Sequence, residues 1–132
     1  MLMGQPAAKK GDLVIATDTH IVMVPSPGGP VPTPMAMPFN GVLDGALSST
    51  VKIDGKPAAV DGSTSSNTPP HIPAGGPFQR PPSGKGTIKV TGGSVYMDHK
   101  LAAKNGDPAD TCNDPQDLPV GTVNATGTTI IG

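Results

Sequence analysis

Apolar and polar residues alternate at period two in several short runs. In 49–54 (Ser-Thr-Val-Lys-Ile-Asp), in 87–91 (Thr-Ile-Lys-Val-Thr) and in 122–126 (Thr-Val-Asn-Ala-Thr), β-branched or apolar side chains take every second place. Successive side chains of a strand point to opposite faces, so this alternation predicts half-buried strands. Gly92-Gly93 and Gly127 stand where tight hairpin turns are expected. No segment carries a convincing helical period. The best stretch, 99–105, is too short to stand as a helix alone, and proline or glycine interrupts nearly everything else. The predicted fold class is all-β, built from short β-hairpins in a single domain over 1–132.

The runs belong to a repeat. Gly4-Gln5-Pro6-Ala7-Ala8-Lys9-Lys10-Gly11-Asp12, Gly55-Lys56-Pro57-Ala58-Ala59-Val60-Asp61-Gly62-Ser63 and His99-Lys100-Leu101-Ala102-Ala103-Lys104-Asn105-Gly106-Asp107 align without gaps. The second and third copies follow strand-like runs. The last segment, 121–132, repeats that strand-like half alone. The alignment predicts three pseudo-equivalent hairpin units, with the first and last parts of the chain closing into one unit. Two long proline- and glycine-rich loops, about 25–40 and 68–86, are expected between units. Loops of that length are functional or mobile rather than simple connectors.

Composition makes the core thin. The chain of 132 residues holds 18 glycines and 17 prolines but only two Phe, one Tyr and no Trp. Large rings supply much of the buried area in an ordinary core, so a metal or a partner surface is expected to help the fold. Nine basic and ten acidic residues give a net charge of −1. No basic cluster beyond Lys9-Lys10 offers a footprint for nucleic acid. No apolar run is long enough to span a bilayer as a helix, and residues 1–6 lack the pattern of a secretory signal. The lone Cys112 is either a free thiol or a metal ligand.

Three histidines and that cysteine form the candidate site. His20 lies nine residues after Gly11, His71 nine after Gly62, and Cys112 six after Gly106. Equivalent loops would thus each bring one ligand to one end of the molecule. His99 replaces Gly4 and Gly55 at the head of the third repeat, from where it would reach inward to complete a tetrahedral shell. Four such ligands suit a closed, structural zinc site, with iron as the second choice. A competing reading makes Cys112 a nucleophile paired with a histidine, in a small metal- or cysteine-dependent hydrolase toxin. No cysteine-hydrolase signature surrounds Thr111-Cys112-Asn113, and Asp110 and Asp114 beside it disfavour a thiolate. The expectation is therefore a protein that is not an enzyme.

Pro6-Ala7-Ala8-Lys9, Pro57-Ala58-Ala59-Val60 and Leu101-Ala102-Ala103-Lys104 resemble the PAAR-repeat family, named for Pro-Ala-Ala-Arg. The Arg is absent from all three copies and the proline from the last. The resemblance runs from about Gly4 to Gly132. It implies a pointed cone of short β-strands with pseudo-threefold symmetry, metal-stapled at its vertex by zinc held on His20, His71, His99 and Cys112. It implies a structural tip that caps and sharpens a trimeric, VgrG-like β-helical spike in a contractile injection machine. Such machines include type VI secretion systems, phage-like tails and extracellular injection particles. Effector cargo and transient contact with a target membrane come with that role. The tip would be cytoplasmic until assembled, then carried on the particle and delivered outside or into the target cell. No fused toxin domain is expected. The contact with the spike is expected from strand residues of the three units: Thr50, Val51 and Ile53, Ile88 and Val90, and Val123.

Overall fold

The computed structural model describes residues 4–132; Met1-Leu2-Met3, the start of the segment read above as lacking a secretory signal, lie outside the described residues. Twelve strands form among the described residues: β1 (Gln5–Pro6), β2 (Leu13–Val24), β3 (Val31–Gly45), β4 (Lys52–Ile53), β5 (Lys56–Pro57), β6 (Thr64–Asn67), β7 (Lys85–Ile88), β8 (Tyr96–Met97), β9 (Lys100–Leu101), β10 (Pro108–Thr111), β11 (Leu118–Asn124) and β12 (Ile130–Ile131). No helix occurs among the described residues. The expected all-β class is what the chain adopts.

Six strands close into an antiparallel barrel in the order β10-β11-β2-β3-β6-β7. Strand parity decides its inside. On β2 the even residues Val14, Asp18, His20 and Val22 are buried, and on β3 the odd residues Met37, Phe39, Gly41 and Leu43 are. Ile88, Ala109 and Val123 fill the rest of the core. Phe39 is the one fully buried phenyl ring of the barrel, and glycines make room for it. A Cβ on Gly41 would lie 2.6 Å from the Phe39 ring, and one on Gly86 3.2 Å from it. A Cβ on Gly41 would displace the ring, and one on Gly86 would meet the Ser65 hydroxyl first, at 2.7 Å.

Beneath the barrel the three repeats form a cyclic hydrogen-bond ring. Ala8 N–H donates to Ala103 C=O (2.9 Å), Ala103 to Ala59 (3.0 Å) and Ala59 to Ala8 (2.9 Å). Gly11, Gly62 and Gly106 follow, with φ of 91°, 90° and 90°. Such values favour glycine. Their N–H groups donate to the carbonyls of Leu43, Ile88 and Val123 at 3.0, 2.9 and 2.8 Å. Three two-stranded hairpins underlie the ring: β4–β5, β8–β9 and β12–β1. In the last, Gln5 pairs with Ile131 and Pro6 with Ile130. The two ends of the chain thus close into one unit, as the repeat predicts.

Two expectations are corrected. Residues 25–40 are not one long loop, because β3 begins at Val31 and pairs along the whole length of β2, from Leu13↔Val42 to Val24↔Val31. Pro32, Pro34 and Pro38 share the parity of Asn40, whose N–H and C=O face β6 rather than β2. Below Gly41 that edge of β3 has no β6 partner, so prolines there remove no ladder bond.

The second correction concerns the presumed contact residues. The runs 50–54, 87–91 and 122–126 are not equivalent. β4 corresponds to β8 and β12, whereas Ile88 and Val123 correspond to Leu43. Ile53, Ile88 and Val123 are buried, so their side chains cannot line a contact surface. Thr50 is exposed, Val51 is half-buried beside the hairpin cluster of Ala7, Ile53 and Ala58, and Val90 is half-buried against the barrel core.

Candidate metal centre

Chain direction places the candidate site at the end of the barrel opposite the alanine ring. From the ring, β2, β6 and β10 run the same way, each after its own Asp12, Ser63 or Asp107. Asp18 and His20 stand on β2, His71 four residues beyond β6, and Cys112 one residue beyond β10. One ligand atom from each of these four lies within 4.8 Å of all the others. Asp18 and His20 are fully buried and Cys112 nearly so. His71 packs its ring 4.8 Å from that of His20 and 6.3 Å from that of Phe39.

His20, His71 and Cys112 are therefore brought together. His99 is not. It lies exposed in the β8–β9 turn with φ of 66°, among the base hairpins and on the far side of the ring. Its place is taken by Asp18, which counting imidazoles and thiols overlooks. The signal was present: Asp18 and His20 are two apart on one strand, and so share a face.

Asp18 organises the cluster. Its Oδ2 lies 3.0 Å from His71 Nε2 and 3.4 Å from Cys112 Sγ. Its Oδ1 accepts from the Thr111 hydroxyl and, at 3.4 Å, from the Asn113 amide. Asn67 accepts the Asn40 N–H through Oδ1 and so turns its NH₂ toward His71 Nδ1, 3.4 Å away. Nε2 is the ring nitrogen that faces Asp18, and it and the carboxylate could both serve as donors to a cation. His20 Nε2 lies 3.7 Å from Cys112 Sγ, while its buried Nδ1 has no hydrogen-bond partner.

Burial, and then the neighbouring His71, lower the pKa of His20, which keeps its imidazole neutral at pH 7. Burial, and then the Asp18 carboxylate, push the Cys112 thiol up to about 11. Burial beside a carboxylate thus disfavours the thiolate form of Cys112 in the absence of a cation. A carboxylate, a thiol and two imidazoles in one buried cluster form a donor set that suits a divalent cation. The group could hold a metal ion. Comparison with protein-family models, with curated proteins and with solved structures found no match.

Proposed function

We propose that this protein is a PAAR-like spike tip of a contractile injection machine, capping a trimeric β-helical spike and stapled by zinc at the end away from it. The observation that carries the reading is the cyclic ring of Ala8, Ala59 and Ala103, with one hairpin beneath each repeat. A single chain with internal threefold order can face three identical subunits through three similar surfaces. An asymmetric cap could not. The metal belongs at the other end, where β2, the segment after β6 and the end of β10 meet. A closed site there contributes folding free energy directly. Zinc fits a set of two imidazoles, a thiolate and a carboxylate, and iron is the second choice.

The test of the cap is stoichiometry. Mixed with a trimeric spike from a contractile system of the same genome, the protein should give a complex mass of one tip per trimer. Three tips per trimer, or no complex, would refute the capping role. Elemental analysis of protein purified without added metal should give near one zinc per chain. His71→Ala and Cys112→Ser should each lower the melting temperature far more than an exposed change, and chelator should reproduce that loss in the wild type. Folded protein with no metal would remove the zinc from this reading.

A further inference from the structure

His20 is the one member of the centre with a buried ring nitrogen left unpartnered. Oδ1 of Asp114 lies 3.7 Å from that Nδ1, with both side chains almost wholly buried. Asp114 is fixed there from several directions. Its N–H donates to Thr19 C=O at 2.9 Å, and its Oδ2 accepts the Ile21 N–H at 2.8 Å. Its backbone and side chain thus bracket His20 from the same edge of β2. Its Oδ1 also accepts from Arg80, at 3.2 Å from Nε and 3.0 Å from Nη2, and Nη2 reaches Asn113 C=O at 2.6 Å.

Arg80 belongs to the long proline-rich segment whose purpose the sequence leaves open. That segment is laid onto β2: Met23 N–H donates to Pro77 C=O and Gln79 N–H to Ile21 C=O, both at 2.8 Å. Phe78 between them sets its ring against that of His20, with centroids 5.9 Å apart and planes at 71°. The segment therefore covers His20 with an aromatic edge and delivers a cation to the carboxylate behind it.

We infer that Asp114, held by Arg80, is a positioning residue of the metal centre. It accepts the Nδ1–H of His20 when a metal is bound, and so keeps the Nε2 lone pair pointed at Asp18 and Cys112. A carboxylate behind a ligating histidine fixes its tautomer and ring orientation, and its removal costs metal affinity about 10- to 100-fold. At 3.7 Å the bond is not yet made; it forms in the metal-bound state. The inference rests on the metal-centre reading and says nothing of the spike.

Titration of zinc against a competing chelating indicator tests it. Asp114→Asn keeps an acceptor for Ile21 but loses the charge. It should bind one zinc per chain about 10- to 100-fold more weakly than wild type, and Arg80→Met should show a smaller fall. Equal affinities for wild type and Asp114→Asn would overturn the inference. If Asp114→Asn does not fold, ring-nitrogen NMR of the zinc-loaded wild type decides alone. The expected pattern is a His20 with zinc on Nε2 and a proton on Nδ1; zinc on Nδ1 would overturn the proposal. A wild-type chain that takes up no zinc removes the metal-centre reading itself, and this inference with it.

Discussion

His99 sits in a two-residue hairpin loop where both residues need left-handed backbone. Asp98 and His99 have φ of 53° and 66°, and Asp54 and Gly55 repeat the geometry at 53° and 79°. Asp98 is anchored by the hydroxyls of Ser48 and Thr50 and by the Ser49 N–H, which hold its carboxyl below the usual range. His99 has no such anchor among the hydrogen bonds of its turn. His99→Gly should therefore raise stability by up to about 1 kcal/mol and leave the metal content unchanged. A variant that loses its metal would restore His99 as a ligand. Asp18→Asn should do the reverse and weaken metal binding. Cys112 carries a pH signature. Its pKa is about 11 in the fold against an ordinary 9.0. The folded state therefore holds a proton that the unfolded chain releases between those values. Metal-free stability should be full below the ordinary pKa. It should fall as pH rises toward about 11, by at most about 3 kcal/mol. Denaturant melts in chelator across that range measure the loss. Cys112→Ala should abolish it, and bound metal, which already holds the thiolate, should suppress it. The same alkaline slope in Cys112→Ala would assign the loss to other groups.

The three units share a backbone but differ in the polar pair beneath it. Lys9 N–H donates to the Asp12 carboxylate at 3.1 Å, Lys104 N–H to that of Asp107 at 2.9 Å, and Val60 N–H to the Ser63 hydroxyl at 2.9 Å. Where the acceptor is charged, the ammonium of the same residue lies on it, at 3.2 Å for Lys9 and 2.9 Å for Lys104. Where it is a hydroxyl, no cation is needed, and Val60 stands in the lysine's place. Lys9 and Asp12 are both buried, so Lys9→Val alone should cost about 3–5 kcal/mol by stranding a carboxylate. Lys9→Val with Asp12→Ser copies the second unit and should recover most of that loss. A double-mutant cycle in denaturant measures the coupling, and equal losses in the single and double variants would disprove it. The aligned repeat made the ring legible in the sequence, because each unit keeps its Ala-Ala and its glycine. β3 was less legible. Its prolines read as loop until their spacing is noticed: Pro32, Pro34 and Pro38 are all of even parity, and so all face an edge without a ladder partner. The donors of the site were legible as residue types. Asp18 was missed because carboxylates are common, and only its shared face with His20 distinguishes it.

At the scale of the molecule, Gln5–Pro6 and Ile130–Ile131 form the third hairpin of a set of three. Ile131 pairs with Gln5 as Ile53 pairs with Lys56 and Met97 with Lys100. Gly132 and Gly4 thus occupy the places that Asp54-Gly55 and Asp98-His99 fill as two-residue turns. The interruption of the backbone is the main thing that sets this unit's hairpin apart, so it should be movable. Omitting residues 1–3, joining Gly132 directly to Gly4 and opening the chain between Asp54 and Gly55 rotates the interruption by one unit. Every pairing within the ring and barrel is kept. Both glycines accept the positive φ that such a turn requires, and closing so short a loop adds little entropy beyond that lost at the opened turn. The permutant should fold to the same barrel, carry the same metal content and match the parent stability within about 1 kcal/mol. On the scale of a domain this size, that is a shift of a few degrees in melting temperature. A second permutant, opened between Ala8 and Lys9, severs the backbone beside the ring and should be far less stable. Calorimetry and elemental analysis of the two permutants would show whether the three units are interchangeable. If both permutants melted alike, the ring would not be the element that holds the units together.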